Sequence, residues 1–168
     1  MQTEEQQRLT LEAVGTALRK CLASLPADSA ELMREVSADG KTEYWVIKPT
    51  NPGAARVVVD VEPDGSRAYV RLGHGIDLEV DWPGREGSPA PLEEVMEYCQ
   101  AAIDGRVEET VWRHGDSIWR VRGRIDLQTR VLEPTVVEGF SLGRLRRGTR
   151  EHYKYEPYTA ARARRPGS

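Results

Sequence analysis

With 168 residues, 39% hydrophobic and 30% charged, the chain is long enough to bury one core and polar enough to stay in water. Its formal net charge of −3 and pI near 5.7 argue against a basic, phosphate-reading domain, so specific nucleic-acid binding is not expected. The opening MQTEEQQRLTLEAVGTALRK carries acids where a secretory signal needs a basic region, and no apolar run reaches bilayer length; the expectation is a cytoplasmic protein without a membrane partner.

Residues 4–24 read as a helix. Leu11, Val14, Leu18, Cys21 and Leu25 recur at three- and four-residue steps, Glu4 and Glu5 sit near the positive end of the dipole, and Pro26 supplies the stop. A strand-rich stretch follows. ELMREVS and TEYWVIK flank ADGK, where Asp39-Gly40 predicts a two-residue hairpin turn because both positions tolerate positive φ. ARVVVDV is dense in β-branched residues and predicts a central strand buried on both faces. EPDG makes a turn, SRAYVRL returns, and GHG at 73–75 interrupts the chain. IDLEVDW then alternates, with Ile76, Leu78, Val80 and Trp82 inward and Asp77, Glu79 and Asp81 outward.

PGREGSPAP is a loop in which Ser88 is placed to cap a second helix over 90–104. The stripe of that helix is Leu92, Val95, Cys99, Ala102 and Ile103, and Gly105 closes it. A hairpin, 106–114 with 117–127, turns at Gly115-Asp116. Counting back from the turn pairs His114 with Ser117, Trp112 with Trp119, Val111 with Arg120 and Glu109 with Arg122. Trp112 and Trp119 would then be cross-strand neighbours on the helix-covered face. After Pro134 the pattern weakens, though EHYKYEPY reads as a short strand with Tyr153 and Tyr155 on one face.

These elements predict an α+β fold: a single mainly antiparallel sheet of about six to eight strands with two helices packed on one face. Residues 1–134 form the domain, and 135–168 form a partly packed C-terminal extension with a basic tail. Trp82, Trp112 and Trp119 are expected in the shared core.

No catalytic or cofactor motif emerges. His74, His114 and His152 are dispersed without a metal-ligand spacing, and Cys21 and Cys99 fall on helix stripes as core thiols. The expectation is a non-enzyme with no metal and no cofactor. What stands out is charge. Residues 1–105 carry a net −9 and residues 106–168 a net +6. In IWRVRGRIDL the spacing sends Arg120, Arg122 and Arg124 to one strand face and Trp119, Val121, Ile125 and Leu127 to the other. On a single sheet this arginine ladder would share the solvent face with Asp77, Glu79 and Asp81. The two ladders would then either pair with each other or leave one free for a partner. Glu93, Glu94 and Glu97 of the second helix complete the candidate acidic surface.

The stretch EEVMEYCQAAIDGRVEETVWRHGDSIWRVRGRIDL, residues 93–127, resembles the closing helix and hairpin of small bacterial immunity proteins that neutralise polymorphic or contact-delivered toxins. The resemblance implies a non-catalytic cytoplasmic inhibitor whose partner is a toxin encoded next door; it transfers no functional residue. A second likeness is to the acidic α+β secretion chaperones. A third reading is a small-molecule binder with a pocket lined by Trp45, Trp82, Trp112 and Trp119.

Overall fold

The computed structural model describes residues 9–82, 90–137 and 148–160. The first helix, α1, spans Leu11–Leu22; Thr10 caps it by accepting the Ala13 N–H at 3.1 Å. It begins at the first residue of its apolar stripe and ends at Leu22, short of the expected 4–24 span, while Glu4 and Glu5 lie outside the described residues. Five strands follow: β1 (Ala30–Val36), β2 (Glu43–Pro49), β3 (Val57–Val61), β4 (Arg67–Leu72) and β5 (Ile76–Asp81). Each pairs antiparallel with the next, so the sheet order is the chain order.

β3 is the middle strand of the five, as its valine run predicts; Val57 and Val59 are fully buried while Val58 is half-buried. The β1–β2 connection differs from the expected two-residue turn. Val36 pairs with Glu43, and of Asp39 and Gly40 only Gly40 takes positive φ, at 72°.

The second helix, α2, spans Pro91–Ile103, with Pro91 in its first turn and Gly105 just past its end at φ 70°. Ser88, expected as its cap, lies outside the described residues. The remaining strands are β6 (Val107–His114), β7 (Ser117–Asp126), the two-residue β8 (Val131–Leu132), β9 (Thr135–Val137) and β10 (Thr149–Lys154). They form a second antiparallel sheet in the order β10-β6-β7-β8, with β9 also paired to β7.

The expected single sheet is therefore two. The helices do pack as layers: α1 against β1 and β2, α2 against β4 and β5, and α2 reaches β7 as well. Trp45 anchors α1. Its indole N–H donates to the Leu11 carbonyl at 2.8 Å, and Gly15 leaves room for the ring, which a Cβ there would meet at 2.5 Å. The two sheets interlock where β5 begins. A Cβ on Gly75 would meet the Val121 side chain at 2.9 Å, and one on Gly123 would meet Ile76 at 2.7 Å. One core cluster runs through both helices and both sheets.

Tyr155 and Tyr158, in the stretch expected as a partly packed extension, are part of that core. Tyr155 N–H donates to the Val107 carbonyl, Glu156 N–H to Gly53, and Tyr158 N–H to Ile103; the Tyr158 hydroxyl reaches the Ala55 carbonyl at 2.7 Å. This strap ties the second sheet to the turn at 51–55 and to the end of α2.

Candidate functional site

The hairpin register decides what the outer face of the second sheet carries. His114 pairs with Ser117 as expected and Arg113 with Ile118, but a bulge follows: Trp112 lies opposite Arg120, so Trp119 is the extra residue. Every β6 pair beyond the bulge is shifted by one from the turn-based count: Val111 opposite Val121, Thr110 opposite Arg122, Glu109 opposite Gly123. A one-residue slip turns a strand over. Val107, Glu109 and Val111 therefore face the core, and Trp112, Thr110 and Glu108 face outward beside the arginines.

Trp112 and Trp119 remain neighbours, with ring centroids 6.4 Å apart, but Trp112 is not on the helix-covered face. Of the four tryptophans only Trp45 belongs to the buried core. The expected tryptophan core is corrected accordingly: the rings do not converge on one pocket.

The acidic candidates are already taken by this chain's own groups. Asp77, Glu79 and Asp81 lie on β5 beside β4, in a different sheet from Arg120, Arg122 and Arg124. Arg71 meets Asp77 at 2.8 Å, and Arg67 meets Glu79 at 2.8 Å and Asp81 at 3.0 Å. Hydrogen bonds to the Tyr69 hydroxyl and to Asp81 push the Arg67 guanidinium above its ordinary pKa. On α2, Glu93 accepts the Ala90 N–H in the first turn. Glu94 accepts the Tyr98 hydroxyl and pairs with Arg130 at 3.4 Å, and Arg130 also lies 3.7 Å from Glu97. Burial, followed by the bond to Glu94, pushes the Tyr98 phenol above its ordinary value.

The basic candidates are not balanced. The pairings across β7, β6 and β10 set three rows on the outer face: Arg120–Trp112–Arg150, Arg122–Thr110–His152 and Arg124–Glu108–Lys154. Glu133, between β8 and β9, serves both Arg122 at 3.3 Å and Arg124 at 3.6 Å, and Lys154 meets Glu108 at 3.5 Å. Among the described residues Arg120 and Arg150 make no ion pair. Both instead lie over the Trp112 ring, at 4.8 and 5.6 Å from its centroid. The Arg120 Nε is buried and has no hydrogen-bond partner. Thr110 and His152 share a hydrogen bond of 3.1 Å in the middle row. All of these side chains except Lys154 line an open groove of about 370 Å³.

Sequence reasoning placed the three arginines on one face but missed Trp112, Arg150, His152 and Glu133 as their companions. The alternation in REHYK, with Arg150, His152 and Lys154 two apart, is the signal that was available for β10. Nothing local says that β10 pairs with β6.

The slip has a second consequence on the inner side. Glu109 is 1% exposed. One carboxylate oxygen accepts the His74 backbone N–H at 2.7 Å and the Tyr155 hydroxyl, while the other has no partner. Burial, then the bond to Glu109, drives the Tyr155 phenol well above its ordinary pKa. The His74 ring itself lies tilted against Tyr153, with centroids 4.3 Å apart. Among the described residues no group of three or more His, Cys, Asp or Glu side chains is placed to hold a metal ion, and no helix is long and apolar enough to cross a membrane.

The described residues define an α+β architecture of two antiparallel sheets and two helices. The chain matches no protein-family model, no curated protein and no solved structure.

Proposed function

We propose that this chain is a non-catalytic protein-binding domain of the cytosol that engages an acidic surface of its partner through the outer face of β6, β7 and β10. The observation that carries this reading is the pair of uncompensated guanidiniums, Arg120 and Arg150, held on either neighbour strand of Trp112. Tryptophan and arginine are the residues on which interface energy concentrates, and the exposed Val137 opposite Arg120 adds apolar area beside them. The surrounding cations steer an acidic partner into contact. An immunity-type inhibitor of a toxin encoded next door fits this description with the steering charge basic on this chain and acidic on the toxin, in place of the candidate acidic surface of Asp77, Glu79, Asp81, Glu93, Glu94 and Glu97.

The test is association with the product of the adjacent gene, followed by stopped flow at low and high salt. Arg120→Glu with Arg150→Glu should slow association about tenfold at low salt, with the difference fading as salt rises. Asp77→Lys with Glu79→Lys and Asp81→Lys should leave the rate nearly unchanged at matched folded concentration. The opposite pattern would return the interface to the acidic half, and absence of any complex would sink the inhibitor form of the reading.

A further inference from the structure

We infer that the occupant of the arginine face is an extended acidic segment of the partner, lying along β7 with carboxylates at alternate positions; this rests on the protein-binding reading above. Residues two apart on a strand stand ~6.6–6.8 Å apart, so Arg120, Arg122 and Arg124 form a column of that pitch. An extended peptide presents its alternate side chains on one face at the same pitch, whereas a helix, or an extended segment with its acids three apart, does not.

The chain supplies a demonstration of the chemistry. The Glu133 carboxylate bridges the lower two arginines, one oxygen at 3.3 Å from Arg122 and the other at 3.6 Å from Arg124. Glu133 is about half exposed and sits on a link between two very short strands, so it is a resident acid that an incoming acid displaces. Among the described residues Arg120 has no such resident. Its buried Nε lacks an acceptor, and a partner carboxylate supplies one. Arg150, across the Trp112 ring, takes a neighbouring acid of the same segment.

The experiment uses two short glutamate–threonine peptides of identical composition, one with its glutamates at alternate positions and one with them three apart, so that neighbouring acids fall on opposite faces. Each carries a fluorophore and is titrated at low salt with the full chain. The alternating peptide should bind about tenfold more tightly than the one spaced three apart, because both carry the same charge and only the first places neighbouring carboxylates at the pitch of the column. Arg120→Gln, checked for folding by circular dichroism, should remove most of that preference. Glu133→Gln should tighten the alternating peptide severalfold.

Equal affinity for the two peptides would overturn the inference, as would tighter binding of a deoxythymidine oligonucleotide than of either peptide. Glu133→Gln without effect would overturn the displacement. If the two peptides bind alike while the Arg120→Glu, Arg150→Glu variant still slows the natural partner, the extended-segment inference fails and the acidic-partner reading stands.

Discussion

The outer faces of the two sheets carry similar residues and differ in how their charges are settled. On the first sheet Arg67 and Arg71 of β4 sit directly beside Asp77, Glu79 and Asp81 of β5, and each acid meets a guanidinium within 3.0 Å. On the second, among the described residues, three of the five cations of β7 and β10 meet two carboxylates, Glu108 and Glu133, and the other two, Arg120 and Arg150, settle over a tryptophan instead. Exposed pairs of the first kind add little stability but neutralise a face and pin its register. A face of the second kind keeps charge and aromatic area available. The net charge of the whole chain conceals this difference, because the acids that outnumber the bases are spent on the first sheet and on α2.

The two faces can be told apart most forcefully through their tryptophans. Trp45, buried under α1 with its indole bonded to Leu11, should cost ~3–5 kcal/mol on truncation to alanine. Trp112→Ala on the outer face of the second sheet should cost far less in a urea titration. Equal losses would mean that Trp112 is a core residue and that the shifted hairpin register is wrong.

A smaller loss is expected at Tyr155→Phe, which leaves Glu109 with the His74 N–H as its one donor. Weakening the satisfaction of a buried carboxylate should cost ~1–3 kcal/mol. A neutral outcome would place Glu109 in contact with water and remove it from the inner layer.

Alkali should test the inner layer and leave the outer faces alone. Burial holds the Cys99 thiol up at about 12, against an ordinary 9.0, and raises Tyr98, Tyr155 and Tyr158 above their ordinary 10.0. The folded chain thus keeps protons that the unfolded chain releases. This contribution is fully present below pH 9 and is lost progressively as pH climbs past 9 and 10. Urea midpoints should be flat through neutrality and fall above that point. A midpoint that rises with alkali would contradict the burial of these four groups.

The least costly change is Arg67→Gln with Arg71→Gln. These exposed pairs should leave the urea midpoint nearly unchanged while exposing an uncompensated acidic column on β5. A large loss would show that the first face depends on its ion pairs for folding.

What the sequence disclosed follows from what is local. The valine run of β3, the alternation of β5 and the stripe of α2 each repeat within one segment, and all three elements are present. The end of α2 at Gly105 and the stacked Tyr153 and Tyr155 rings were equally legible, since a positive φ and a strand period need no distant partner. The division into two sheets was not. β10 pairs with β6 across an intervening hairpin, and residues 149–154 contain nothing that names residues 108–113 as their neighbours.

The bulge at Trp119 illustrates a different limit. The Gly115-Asp116 turn set the first pair correctly, and a cross-strand aromatic pair worth ~0.2–1 kcal/mol favoured continuing that register. The slip instead buries Val107 and Val111 completely, and burying a valine is worth ~1.5–3 kcal/mol. Tertiary burial outweighs the local pair, while Trp112 keeps its contact with Trp119 and gains two guanidiniums. The candidate site was thus half visible: its arginine column is written in one strand, but its tryptophan, its second column and its resident acid depend on a register that only the packed core selects.

The central claim, that the second sheet's outer face and not the acidic half is the binding surface, is tested most directly by following arginine Nε–H signals by nuclear magnetic resonance during titration with the alternating glutamate peptide. The account predicts that Arg120, Arg122, Arg124 and Arg150 shift together with the Trp112 indole, while Arg67 and Arg71 stay in place. Shifts centred on Arg67 and Arg71, or spread evenly over all arginines of the chain, would contradict it.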